Sequence, residues 1–183
     1  MPCLWLHRAD VMWVWKAFKD LVVSFLAFPL APFIVALTSK EGESPLWAFP
    51  WLTYDNAIDG DTGHLQRWPD DGTKLQTYLR RVAWLWRNRG YNYSYYQVGV
   101  EPTGAINYKG TPLFWKRENP KGWCYAKCDN AWMLFAWWPY SVFGFKRGFR
   151  IYLGWKLREK CEHPERNIRA MLVTHINPFK GKM

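Results

Sequence analysis

The sequence predicts an α+β protein: a proline-broken, membrane-associated N-terminal helix, then a small, mostly antiparallel β domain with one amphipathic helix. Three observations predict it. Leu21 to Ser39 contains no charged residue. Leu75, Tyr78, Leu79, Val82, Leu85 and Trp86 recur at three- and four-residue steps, the period of a helix with one apolar stripe. Phe149 to Leu157 alternates apolar with polar residues, the period of a strand with one buried face. The chain accordingly divides into an apolar segment (1–40), a linker with an acidic loop (41–72) and the α+β domain (73–183).

Composition narrows the classes. A chain of 183 residues, 49% apolar, has room for one packed domain plus an anchor and is not globally disordered. Its 14 Trp must be buried, stacked or placed at a membrane interface. The net charge of +10 is concentrated late: from Ser141 onward, ten Lys or Arg face three Glu. Such a surface attracts phosphates, of lipid headgroups or of nucleic acid. Arg147, Arg150, Lys156 and Arg158 are the candidate anion-binding residues. The four cysteines (Cys3, Cys124, Cys128, Cys161) are too few for a disulfide framework in a chain this long. Cys124, Cys128, Cys161 and His163 permit a zinc site by arithmetic, but small buried thiols are the expectation.

The uncharged run approaches the length that spans a bilayer as a helix. Pro29 and Pro32 each remove a backbone donor and should break or kink it near its middle. The segment can then span with a kink, re-enter, or lie in the interface; a core helix of a soluble protein is the alternative. Trp5, Trp13 and Trp15 stand where an aromatic belt would be, and Phe25, Phe28, Phe33 and the two prolines complete the expected anchor. Lys16 and Lys19 before the run put the N-terminus in the cytoplasm. A re-entrant or interfacial anchor keeps the basic, thiol-bearing remainder on that side too, and deleting residues 1–40 should leave that remainder folded.

Thr53 to His64 crowds Asp55, Asn56, Asp59, Gly60, Asp61 and Gly63 together. Asx residues and Gly favour a tight turn, with Arg or Lys neutralising the acids. A cation held by Asp55, Asp59 and Asp61 is the competing possibility, though their spacing is not that of an EF-hand. Thr73 can cap the helix over Thr73–Asn88; Arg80, Arg81, Arg87 and Arg89 suit its C-terminal dipole, and Gly90 stops it. Its stripe should pack on a sheet. Strands are expected over Tyr93–Val100, Trp123–Cys128, Trp132–Trp138, Phe149–Leu157 and Arg169–Ile176, with a helical or turn bridge at Glu162–Arg166. The second and third of the late strands should pair through a loop holding Pro139, Gly144 and Gly148. On Phe149–Leu157, the odd residues should be buried and Arg150, Tyr152, Gly154 and Lys156 exposed.

There is no phosphate loop, dinucleotide fingerprint, HExxH or GxSxG motif, so no catalytic residue is assigned and no cofactor is expected. His64 beside Asp59 and Asp61 is the one place where a His meets carboxylates in sequence. The order of features resembles an uncharacterised group of tailed-bacteriophage proteins. The carrying residues are Pro29-Leu30-Ala31-Pro32; Thr53, Asp55, Asn56, Asp59, Gly60 and Asp61; Arg87-Asn88-Arg89; and Gly154-Trp155-Lys156. That resemblance implies a phage context and transfers no catalytic residue; with no catalytic motif in the chain, the expectation is a phage-encoded, membrane-associated accessory protein that acts by binding. Host-envelope modification, or a minor virion or DNA-entry role, would suit it, on the host membrane or in the virion. Its partners would be the bilayer, through residues 1–40, and a host or virion protein. Two alternatives remain: a soluble nucleic-acid-binding module with a basic aromatic β face, and a metal-dependent enzyme centred on the acidic loop.

Overall fold

In the computed structural model, which describes residues 8–69, 72–111 and 121–181, the chain opens with one long helix, α1 (Arg8–Ala36). Cys3, Trp5 and His7 lie outside the described residues. Pro29 and Pro32 sit inside α1 and do not break it. The local reason is visible at Pro32. Its missing N–H leaves the Phe28 carbonyl, four residues back, without its intrahelical donor. Trp86 Nε1 donates to that carbonyl at 3.2 Å. By length and composition, Met12–Ala36 can cross a membrane, with 28% of its most apolar window buried.

The chain forms two units, and α1 contributes to both. The division into 1–40, 41–72 and 73–183 therefore does not describe the packing. Unit 1 holds residues 1–17 and 98–183, unit 2 residues 18–97.

Unit 2 is built from the rest of α1, a 3-10 turn (Leu46–Trp51), α2 (Thr62–Arg67), α3 (Lys74–Arg87) and a π-helical turn (Tyr93–Gln97). Its core joins Ala31, Ile34 and Val35 of α1 to Ala48, Ile58, Val82, Trp84 and Leu85. Thr73 caps α3 as expected, accepting from Gln76 N–H. The apolar stripe of α3 packs on α1 instead of a sheet. Arg80 and Arg81 are buried rather than arrayed at the helix end. Residues 1–40 thus contribute to this core, and their deletion would take Ala31, Ile34 and Val35 out of it. Tyr93–Val100, expected as a strand, coils instead. Ser94 N–H donates to Gly90 O at 2.8 Å, its hydroxyl donates to the buried Asp20 carboxylate at 2.5 Å, and Tyr95 stacks on Tyr54. These side-chain contacts override β propensity, which depends on context.

Unit 1 is a five-stranded antiparallel sheet in the order β1 (Asn107–Gly110), β2 (Gly122–Lys127), β3 (Trp132–Val142), β4 (Phe145–Trp155), β5 (Leu172–Lys180). With the helices, the fold is α+β. The short α4 (Arg158–Glu162) fills the connection after β4. β3 and β4 are longer than expected. Pro139 and Gly148 pair with each other inside the ladder, and the turn is only Phe143–Gly144, with φ of +49° and +78°. Positive φ at both positions is the type I′ geometry that matches strand twist.

The face expected to be buried on β4 is reversed. Tyr152 is buried opposite Phe135, their rings 4.8 Å apart, while Phe149, Ile151 and Leu153 are only half-buried. The cause is Gly154, at φ +95°, where a Cβ would stand 2.1 Å from the Trp132 carbonyl oxygen. This kink upsets the alternation, so Trp155 and Leu157 are fully buried although Phe149, Ile151 and Leu153, at the same alternate positions before it, are not. Gly154→Ala should therefore destabilise the protein by more than about 1 kcal/mol in urea unfolding. An unchanged midpoint would mean that the kink is dispensable.

Candidate functional site

The surface that stands out lies on the unit 2 portion of α1. One face of the helix is closed. Asp20, Ala27, Ala31 and Ile34 follow one another at helical steps and are buried. Small residues here let the helix lie close to its neighbours. Side-chain donors from the rest of the unit reach its carbonyls: Trp51 Nε1 to Val23 O at 2.9 Å and Tyr78 O–H to Pro32 O at 3.3 Å, besides Trp86 to Phe28 O. Ser24 Oγ in turn donates to Arg89 O at 3.3 Å.

The opposite face is open and, from Leu21 on, apolar, with the exposed Lys19 at its N-terminal edge. Phe18, Leu21, Phe25, Phe28, Phe33 and Leu37 are exposed, Phe25 at 69% and Phe33 at 64%. Leu75, Leu79 and Trp86 of α3, also exposed, extend this surface, with the Trp86 and Phe28 rings 6.4 Å apart. The Arg89 guanidinium lies over the Phe28 ring at 4.8 Å and puts a cation at the border. Large exposed apolar surfaces of this kind mark contact with a membrane or a protein.

Of the expected anchor residues, Phe25, Phe28, Pro29 and Phe33 lie on the surface and Pro32 is half-buried. Trp15, in the unit 1 part of α1, is exposed. Trp13 is half-buried. It packs on Trp132 with ring centroids 5.0 Å apart and donates through Nε1 to Gly154 O at 3.3 Å. The α3 row was legible as a period, but Leu75, Leu79 and Trp86 were read with the core half of the same stripe.

The acidic loop is a structural device. Arg81 grips both oxygens of Asp59, at 2.9 and 3.0 Å, and Arg80 adds a bond to Oδ1 at 2.9 Å. Arg81 hydrogen bonds, and then burial working in the opposite sense, leave the Asp59 carboxyl below its ordinary range. Arg81 also donates to the Ser39 and Lys40 carbonyls, tying α3 to the chain just past α1. Asp61 caps α2: its Oδ1 accepts from His64 N–H at 2.7 Å, which lowers its carboxyl pKa, and meets Arg87 at 3.3 Å. Asp55 accepts from the Tyr91 hydroxyl at 3.4 Å. Each carboxylate has its own partner, as the Asx-turn expectation requires. Among the described residues, no three His, Cys, Asp or Glu side chains group as metal ligands. His64 is a core residue, its Nε2 2.9 Å from Arg80 O and its ring against Trp84. Gly60, at φ +97°, is required because a Cβ would strike both rings.

Of the four candidate anion-binding residues, Arg147 and Arg150 are not brought together. Arg147 and Arg150 pair with Tyr140 and Trp137, three places apart along β3, and so point to opposite faces of the sheet. Arg147 is exposed; Arg150 is half-buried, its Nε has no hydrogen-bond partner among the described residues, and burial lowers its pKa. Lys156 lies past the kink, and Arg158 faces Glu162 at 3.9 Å. Cys124 and Cys128 are buried and Cys161 half-buried, all free thiols. Burial pushes the Cys124 thiol up to about 11 and, with neighbouring thiols, Cys161 to about 12.

A family model matches residues 5–183. The chain belongs to the family of unknown function DUF7338. The match covers both units, so the open face of α1, the Asp59 cluster and the sheet all fall within the family's extent. No curated protein matches the chain. No solved structure matches it either.

Proposed function

We propose that the protein is a monotopic membrane protein that acts by binding, with the open face of α1 and the exposed row of α3 lying in one leaflet of the bilayer. The observation that carries this reading is the division of α1 into a closed face and an open apolar face. A core helix of a soluble protein would hide both. A helix spanning alone would be ringed by lipid, yet from Asp20 to Val35 the inner face of α1 is covered by unit 2. An interfacial helix satisfies both facts: its apolar side sinks into the headgroup–acyl boundary and its other side stays on the protein. Arg89 at the border and the net charge of +10 favour an anionic leaflet. Free thiols suit the cytoplasmic side. The Thr53–Asp61 element supports a phage-encoded accessory role in the host envelope, with a host or virion protein as the further partner.

Flotation of the full-length chain with phosphatidylglycerol vesicles tests this. The protein should rise with the vesicles, stay bound in high salt and come off in detergent. A full-length chain that stays soluble and monomeric and remains at the bottom of the gradient would overturn the reading.

A further inference from the structure

We propose that the tip of the β3–β4 hairpin is a second lipid-contacting site, inserting Phe143 and Phe145 into an anionic bilayer surface and seating Lys146 and Arg147 among its phosphates. The tip belongs to unit 1, so its evidence is separate from that of the open face of α1, which lies in unit 2. β5 ends where Lys180 pairs with Gly148. Beyond that pair no β5 residue pairs with the hairpin, the last contact being the Tyr140 hydroxyl donating to Pro178 O; the ladder runs on from the Tyr140–Arg147 pair to Val142–Phe145, a reach of about 7 Å.

The turn residue is the decisive clue. Phe143 has φ +49°, a conformation that bulky side chains rarely adopt and that this turn type normally gives to Asn, Asp or Gly. The ring is 96% exposed, so burial within the protein does not offset the unfavourable backbone. Strained residues of this kind mark functional positions. Phe145 is 65% exposed beside it.

Charge selects the occupant. β3, β4 and β5 contain no Asp or Glu and carry Lys146, Arg147, Arg150 and Lys180. From the tip inward, the order is Phe143, Phe145, then Lys146 and Arg147, with the Arg147 guanidinium 6.0 Å from the Phe145 ring. That is the order of a membrane interface, hydrocarbon first and phosphate behind it. A base-stacking surface would instead interleave rings and cations along a groove.

The test uses the full chain on vesicles of phosphatidylglycerol or phosphatidylcholine. A photoreactive benzoylphenylalanine replaces Phe143, Phe25 or, as a control on β2, the exposed Trp123. Illumination should yield acyl-chain adducts at 143 and none at 123. Lys146→Glu with Arg147→Glu should lower the yield at 143 on phosphatidylglycerol by about tenfold or more. Adducts at 25 without adducts at 143 overturn this proposal and leave the α1 surface intact; adducts at 143 alone uphold it and remove the α1 surface. Cross-links between two copies through 143 overturn it as well, because the tip would then be a dimer contact.

Discussion

Replacing Leu21, Phe25 and Phe33 together by Ser should release the full-length chain from vesicles while leaving it folded. All three side chains lie on the open face of α1 and are more than half exposed. Transfer of each into hydrocarbon is worth about 1.5 kcal/mol, so losing three should weaken partitioning by about three orders of magnitude. Surface substitutions away from packed features change stability by about 0.5 kcal/mol or less each, so the unfolding midpoint should move little. Ile34→Ala supplies the opposite signature. Ile34 is fully buried in the unit 2 core, and its truncation should destabilise by about 2–5 kcal/mol without touching the lipid-facing side. Flotation and urea unfolding of the two variants read both effects. A triple variant that unfolds as badly as Ile34→Ala would show that the open face is covered by protein. One that floats like the wild type would remove α1 as the membrane contact.

The second large effect concerns Asp59. Asp59→Ala should destabilise the protein by about 2–3 kcal/mol, because it leaves two buried guanidinium groups without their shared carboxylate. The figure sits below that for a fully dry pair, since the Asp59 side chain retains 32% of its exposure while Arg80 and Arg81 retain 7%. Asp59→Asn should recover part of the loss through its remaining acceptor oxygen. The pH dependence has a definite sign. The Asp59 carboxyl is held below its ordinary value, first by Arg81. The folded state therefore binds this proton less readily than the unfolded state. The stabilisation is complete above the unfolded carboxyl value of about 3.9 and is lost as pH falls through the lower folded value. Wild type should keep its advantage over Asp59→Asn in urea titrations from neutral pH down to the ordinary carboxylate range and lose it as pH falls below that range. Calcium should leave the melting temperature unchanged. A rise of several degrees with calcium, absent in Asp59→Asn, would mean that a cation sits among the oxygens.

Much of the local structure was legible. Thr73 as a cap, the α3 period, the Asx turn with its arginine partners and four of the five strands all rest on short-range chemistry that the sequence displays. β1, Asn107–Gly110, carried no such signal: all four of its residues are exposed. The misses have a common origin in tertiary contacts. From Leu21 on, α1 is uncharged all round, so its pattern could not say which face packs; Ala27, Ala31 and Ile34 were indistinguishable from Leu21 and Phe25 until their neighbours were known. Pro32 looked like a break because Trp86, the donor that replaces its lost bond, is remote in sequence. The alternation over Phe149–Leu157 was real, but the backbone kink at Gly154 exchanged the faces beyond it. Tyr93–Gln97 has the composition of a strand and was claimed by Asp20 and Tyr54 through side-chain contacts. The hairpin tip left one readable sign, a Phe-Gly pair between two alternating runs, and its exposure belonged to the fold alone.

The bond from Trp86 to the Phe28 carbonyl also sets an order of events during synthesis. Donor and acceptor are 58 residues apart. At about 5–20 residues per second, the ribosome finishes residue 28 several seconds before residue 86 exists. Through that interval α1 is a nascent apolar segment with an orphan carbonyl at its proline and no α3 to cover its inner face. Its N-terminal end waits longer still, since Trp13 finds the Gly154 carbonyl only 141 residues later. Any surface that binds apolar chain can therefore meet this segment before its own fold does. If α1 lies in the bilayer as proposed, the nascent chain reaches the membrane first and closes its cores there, so that delivery depends on the rate of translation as well as on the finished structure.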